Sequence, residues 1–337
     1  MLIIVDAYGG DNAPLEVIRG CAMAVKEYGV NILLYGDEDE IKQAAHKNNI
    51  SLNGMEIRHT ELVIPVEADP TTILQHYGES TMARGLKALA EGEGQAFVTA
   101  GSTGAAIVGG TFIVKRMKGV KRAAIASVIP NAAGAYLLID AGANSDCRPE
   151  MLAQFGVLGS AYMSKIVGVS EPRVGLVNIG TEETKGTELQ IKAYELLKAA
   201  PVNFVGNVEA RELPLGGCDI AVCDGFTGNI VLKLTEGMAK FMAGEFKKVF
   251  KKNVLTMTGA VLTKSGINDL KKKMDYSETG GAPILGLKAP VIKAHGSSNA
   301  KAFKNAIRQA ITMVNNNVIE QTEKELHALK NIDTQVD

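Results

Sequence analysis

The sequence has no excess of charge: 36 Lys and Arg stand against 37 Asp and Glu, for a net charge of −1. That balance excludes wholesale nucleic-acid binding through bulk charge. There is no tryptophan and no CxxC pair. The four cysteines, Cys21, Cys147, Cys218 and Cys223, have no metal-ligand spacing. They read as reduced thiols of a cytoplasmic protein, mostly core filler. No apolar run approaches the length of a membrane span. The opening residues, MLIIVDAYGG, offer neither a basic segment nor a long apolar one, so no signal peptide is expected. GxxxxGK[ST] and GxGxxG are both missing, which disfavours a P-loop NTPase and a standard dinucleotide fold. No repeat of solenoid period is present.

What is there is apolar runs that end in glycine. The chain has 337 residues, 46% of them hydrophobic, enough for one large domain or two ordinary ones. Buried-strand runs are expected at Leu2–Val5, Asn31–Leu34, Met55–His59, Gln95–Thr99, Ala124–Ile129, Ala135–Ile139, Arg173–Val177, Asn203–Gly206 and Ile220–Cys223. Ile284–Leu287 and Val291–Ile292 follow as β-like segments. Helices are expected after Pro14, over Asp37–Asn48, Tyr77–Glu91, Pro149–Val167, Thr187–Ala199, Ile230–Phe250 and Ala300 to about His327. The spacing of the 124–129 and 135–139 runs predicts an antiparallel hairpin, so a mixed, mostly parallel sheet is expected.

Five strand ends share one pattern: Asp6-Ala-Tyr-Gly9-Gly10-Asp11, Thr99-Ala-Gly101-Ser102-Thr103-Gly104, Asp140-Ala-Gly-Ala-Asn144, Asn178-Ile-Gly180-Thr-Glu and Asp224-Gly225-Phe-Thr227-Gly228-Asn229. In an open α/β sheet, carboxyl ends face one crevice and ligands bind there. Convergent glycine loops favour phosphate or another small anion held by backbone amides. Lys185 follows a strand within such a loop, where it neutralises an anion or is simply a solvated lysine. Asp224 orients phosphate, acts as base, or caps its loop. Asn229 donates to a carbonyl oxygen or serves as an N-cap. His295 with Ser297 and Ser298 precedes the last helix, suiting phosphate binding, proton transfer or capping.

A basic stretch holds Lys247, Lys248, Lys251, Lys252, Lys264, Lys271, Lys272 and Lys273. Val254, Leu255, Met257, Val261 and Leu262 are interleaved with it. The pattern is that of an amphipathic hairpin with an apolar face for lipid and lysines for anionic head groups. A helix pair at a dimer interface would read the same way.

These motifs, with Gly206-Asn207-Val208-Glu209 and Lys293-Ala294-His295-Gly296-Ser297-Ser298, run over nearly the whole chain. Together they resemble the bacterial phosphate acyltransferase family of phospholipid synthesis, the PlsX family. The resemblance implies a three-layer αβα sandwich related to isocitrate and isopropylmalate dehydrogenases and to phosphotransacetylases. It implies one catalytic domain over residues 1–330, with two intertwined subdomains as an alternative. A protruding helical hairpin over 235–280 and a frayed tail at 331–337 complete the expected layout. It implies acyl transfer from acyl-ACP to inorganic phosphate, giving acyl phosphate and free ACP, without a cofactor or metal. A homodimer, peripheral contact with an anionic membrane and hand-off to a glycerol-3-phosphate acyltransferase are further implications. The acidic ACP is a second candidate partner for the lysines. Three positions depart from the family pattern: Tyr8 replaces the usual Met, Ser102 the usual Asn, and Ala123 a common Pro. Two other readings stand beside this one. A metal- and NAD-dependent hydroxyacid dehydrogenase would need a carboxylate triad and an adenosine-binding segment. A silent membrane scaffold or acyl-ACP sensor would have no use for an anion crevice.

Overall fold

The computed structural model describes residues 1–267, 269 and 280–333. Lys271, Lys272 and Lys273 of the basic stretch lie outside the described residues, as do positions 334–337 of the expected frayed tail. The strands are β1 (Leu2–Asp6), β2 (Asn31–Gly36), β3 (Met55–His59), β4 (Ala96–Thr99), β5 (Ala124–Asn131), β6 (Gly134–Ile139), β7 (Arg173–Asn178), β8 (Asn203–Glu209), β9 (Ile220–Val222), β10 (Ala282–Leu285) and β11 (Val291–Lys293). The α-helices are α1 (Leu15–Tyr28), α2 (Glu38–Lys47), α3 (Thr81–Ala90), α4 (Thr103–Gly109), α5 (Pro149–Tyr162), α6 (Glu188–Ala199), α7 (Gly225–Phe250), α8 (Val254–Leu262), α9 (Ala300–Asn315) and α10 (Val318–Asp333).

Among the described residues the eleven strands form one sheet in the order β3-β2-β1-β4-β11-β10-β5-β6-β9-β7-β8. Successive side chains of a strand point to opposite faces, and both faces are covered. On one face Ile3 and Val5 share a continuous core with Ile18 of α1, Phe155 of α5, Leu197 of α6 and Phe303 of α9. Ile4 packs on the other face with Met82 and Leu86 of α3 and Ala105 of α4. On that same face, Val231 and Leu232 of α7 lie against a core containing Ile125, Tyr136 and Leu138. The result is three layers, helix–sheet–helix.

Strand direction corrects one expectation. β10 is antiparallel to β11 and to β5, and β5 is antiparallel to β6. Three reversals leave β1, β2, β3, β4 and β11 running one way and β6, β7, β8 and β9 the other. The five glycine-bearing strand ends therefore do not open on one side. Those of β1 and β4 leave one edge of the sheet, and those of β6, β7 and β9 leave the opposite edge.

Three helix boundaries also differ. α3 starts at Thr81 rather than Tyr77, because the Ser80 hydroxyl accepts from Ala83 N at 3.3 Å and caps it. The C-terminal helix is broken at Asn316–Asn317, with Asn317 at φ 49°, into α9 and α10. α7 begins at Gly225, inside the stretch expected to be a loop. Among the described residues, no helix is long and apolar enough to cross a membrane.

Candidate active site

The first group of loops follows β1, β4 and β11. Asp6 is buried, and its carboxylate accepts from Thr99 Oγ1 at 2.7 Å and from Tyr8 N at 3.2 Å. Burial raises its pKa, against the pull of the Thr99 hydrogen bond and the Lys293 charge. Gly9 has to be glycine: a Cβ there would lie 2.6 Å from Gly101 N and 2.8 Å from Asp6 Oδ2. Gly10 has φ 100° and faces Gly296 O, which accepts from Asp11 N at 2.8 Å. These contacts fasten the β1 loop to the β11 loop. Asn12 Nδ2 adds bonds to the Ser297 and Ser298 carbonyls.

Lys293, quoted from the sequence within a motif but not as a site candidate, is the hub of this group. Its buried Nζ donates to Ala100 O at 3.1 Å and to Ala294 O. Burial lowers its pKa to about 8, against the raising effect of Asp6 and Asp11. A lysine ending the apolar run Val291-Ile292 was the available signal, since lysine is almost never buried without partners.

His295 lies next along the chain. Its Nδ1 accepts from Ser297 N at 3.2 Å and meets Ser297 Oγ at 2.8 Å. An Nδ1 that accepts a backbone N–H leaves the neutral ring's proton on Nε2. Burial lowers the ring's pKa, and Glu236, Lys233, Lys293 and Asp11 are its charged neighbours. Ser297 and Ser298 are not the helix cap. Asn299 caps α9 by accepting from Ala302 N at 3.0 Å. The Glu16 carboxylate takes Ala300 N at 2.7 Å, so an anion already occupies that helix start. Ser102 caps α4 through Ala105 N, and Thr103 and Gly104 form its first turn.

The second group follows β6, β7 and β9. Asp140 is fully buried and accepts from Ile125 N, Gly142 N, Ala143 N, Asn144 N and Asn144 Nδ2. The amides expected to cradle phosphate here are consumed by the loop's own carboxylate. Asp224 does the same for α7: it accepts from Thr227 N at 2.8 Å and Thr227 Oγ1 at 2.9 Å. It is the N-cap, so Asn229 is not. Gly225 N donates to Asn144 O at 2.7 Å. Gly228 lets α7 press on the β6 end, since a Cβ would lie 1.9 Å from Asp140 O. Asn229 is exposed, and its Oδ1 lies 3.6 Å from where a Gly142 Cβ would stand.

Lys185 is exposed, with its stem folded over the buried Gly180. Its loop is braced from two sides. Asn178 Nδ2 donates to Lys185 O at 3.0 Å, and Asn207 Nδ2 donates to Glu182 O at 2.8 Å.

α7 spans the two groups. Asn229, Lys233 and Glu236 stand at helical i, i+4 and i+7 spacing and so share one face. Asn229 borders the Gly142 loop, while Lys233 and Glu236 face His295. Lys233 is ion-paired to Glu236 at 3.1 Å. A polar stripe about 10 Å long thus runs from the β6 loop to the β11 loop.

Comparison with known proteins places the chain in context. The model of a family described as fatty acid synthesis protein matches residues 1–321. A phosphate acyltransferase from Alkaliphilus oremlandii is 45% identical over 329 residues, 98% of each chain. One from Clostridium botulinum is 46% identical over 327 residues, covering 97% of this chain and 98% of that one. Among solved structures, a phosphotransacetylase from Streptococcus pyogenes superposes with a TM-score of 0.62 at 16% identity, covering 95% of this chain and 94% of that one. The phosphotransacetylase EutD from Staphylococcus aureus gives 0.61 at 15% identity, covering 94% of each. At such identities the likeness concerns the fold alone.

Proposed function

This chain belongs to the fatty acid synthesis protein family, among the phosphate acyltransferases, and from that membership we propose that it converts long-chain acyl-ACP and inorganic phosphate to acyl phosphate and free ACP. The observation that carries the reading is identity of 45% along almost the entire chain to a phosphate acyltransferase. Placement of cations and donors along the α7 stripe supports it.

In the step we infer, a phosphate oxygen attacks the thioester carbonyl carbon directly. A C–O bond forms, the C–S bond breaks, and the pantetheine sulfur leaves as thiolate and takes a proton. Inorganic phosphate is itself the nucleophile, so the protein's task is positioning and charge stabilisation. Positioning is worth up to about 7–11 kcal/mol, and one oxyanion donor about 3–4 kcal/mol. His295 presents Nε2–H toward phosphate, Lys233 and Lys185 supply positive charge, and the Asn229 amide donates to the carbonyl oxygen. Asp6, Gly9, Gly10, Asp11, Gly101, Ser102, Thr103 and Gly104 shape the phosphate side. Asn144, Gly180, Gly225, Thr227 and Gly228 shape the thioester side, with Asp224 as cap. Ser297 and Ser298 hold the His295 turn.

The same reading covers location. Phe226, Ile230, Leu234, Met238 and Phe241 form an exposed apolar stripe on α7, suited to a second copy of the chain. No residue of α8 is buried, and Val254, Leu255, Val261 and Leu262 are 71–83% exposed. With Lys251 and Lys252 beside them, they suit peripheral contact with an anionic membrane on its cytoplasmic side. There the acyl phosphate would pass to a glycerol-3-phosphate acyltransferase.

The test is incubation with palmitoyl-ACP and inorganic phosphate, followed by ³¹P NMR. Growth of an acyl phosphate resonance in step with free thiol is expected. Thiol release without phosphate would point to a thioesterase, and dependence on NAD would favour the dehydrogenase reading.

A further inference from the structure

No acidic residue occurs between Glu93 and Asp140, yet Lys115, Arg116, Lys118, Lys121 and Arg122 all fall between positions 115 and 122. In a chain of net charge −1 this is a sharp local segregation. The segment closes the helix that begins at Ser102. α4 passes without a break into a π-helical turn, Gly110–Lys115, and Lys115 ends it at φ 75°. Lys288 joins the group, because its N donates to Lys115 O at 2.9 Å and its neighbour Leu287 bridges to Arg116. None of the six cations has an acidic partner among the described residues.

The backbone beneath them is fixed. Met117 N donates to Gly286 O at 2.9 Å. The buried Gln154 accepts from Lys121 N at 2.9 Å and donates to Gly119 O at 3.0 Å. The Arg116 guanidinium closes the turn on Lys121 O. Met117 and Val120 point inward and are buried, whereas Lys115, Lys118, Lys121 and Arg122 are exposed. A helix C-terminus favours cations in its last turn, which accounts for Lys115 but not for Lys118, Lys121, Arg122 or Lys288.

We propose that this loop is the docking platform for the acidic carrier protein that delivers the acyl thioester. The proposal rests on the acyl transfer reading above. Two observations select the occupant. First, the platform is cationic with no counter-charge, and complementary rim charges speed and orient protein association. Second, the helix from Ser102 to Lys115 rises about 20 Å at ~1.5 Å per residue, the scale of an extended pantetheine arm. A carrier seated on the platform would enter the site at the helix's other end, beside the Asp6 and His295 loops of the phosphate side, and its thioester would meet phosphate along the α7 stripe that leads to the thioester side. Lipid is the poorer occupant, because the apolar residues within the loop are turned into the core. Phe112, 60% exposed one turn earlier, gives a carrier an apolar contact at the platform's margin.

The test is the Lys118→Glu, Lys121→Glu, Arg122→Glu triple variant, assayed with palmitoyl-ACP and with the uncharged small thioester palmitoyl-pantetheine. KM for palmitoyl-ACP is expected to rise at least tenfold and to lose most of its salt dependence. kcat/KM for palmitoyl-pantetheine should stay within twofold, which also certifies the fold. An unchanged KM for palmitoyl-ACP, or an equal loss with both substrates, overturns the proposal. So does loss of binding to phosphatidylglycerol vesicles with KM unchanged, which would make lipid the occupant. Anisotropy of labelled palmitoyl-ACP separates docking from the chemistry. Binding at least tenfold weaker in the variant supports the platform even if no acyl phosphate forms, and equal binding overturns it.

Discussion

His295 has its tautomer set by backbone geometry, and that makes its role measurable. Ser297 N donates to Nδ1, so the neutral ring carries Nε2–H. Burial holds the pKa below the usual 6.5. The unfolded chain then takes up this proton first, so the group's contribution to stability is intact above about 6.5 and is lost as pH falls toward the folded value. ¹⁵N NMR, assigned with His295→Gln, should show an Nε2–H imidazole titrating below 6.5. An Nδ1–H form, or a pKa at or above 6.5, would remove it as the donor facing phosphate. Lys185→Ala should keep the circular dichroism spectrum and lose most turnover, and near-normal turnover would exclude Lys185 from the site. Single residues were the least legible layer of the sequence. Spacing singled out Asp140 and Asp224 as polar strand ends, but whether such a carboxylate binds a ligand or its own loop depends on where the next amides fold. Both turn inward. Lys293 was quoted within a motif but not singled out for the site, because the partner that ties it there, the Ala100 carbonyl, is distant in sequence.

Among the elements, α7 separates chemistry from architecture. Asp224→Ser keeps a side-chain cap, and Asp224→Ala should cost about 1 kcal/mol in urea unfolding. As a cap, Asp224 predicts near-normal turnover for the serine variant, whereas a general base predicts a loss of at least about 100-fold for both. Gly228→Ala should cost about 3 kcal/mol, because the added Cβ meets Asp140 O and forces the helix off its seat. The strands and most helices were legible because apolar period and caps are local. Residues 225–229 were misread because two glycines within five residues usually mark a loop. Here they are the price of close approach between a helix and a strand end. Strand direction was legible only in part: the β5–β6 hairpin was expected from its spacing, but the antiparallel steps of β10 against β11 and β5 are encoded by no local period.

At the scale of the molecule, the sheet sends its glycine loops to opposite edges and α7 reconnects them. The helix then continues to Phe250 and packs against α8. On this account one element links the transfer site to the apolar, lysine-flanked surface proposed for the membrane. Val254→Glu with Leu255→Glu should abolish sedimentation with phosphatidylglycerol vesicles while leaving turnover of soluble palmitoyl-ACP within about twofold, and unchanged sedimentation would end the lipid reading. The central claim is that bound phosphate attacks the thioester directly. It is tested most directly by mixing palmitoyl-ACP with a stoichiometric amount of the protein and following thiol release with and without phosphate. Direct attack predicts no thiol without phosphate and, with it, one equivalent accompanied by acyl phosphate. A burst of one thiol per chain in the absence of phosphate would reveal an acyl-enzyme and contradict the account.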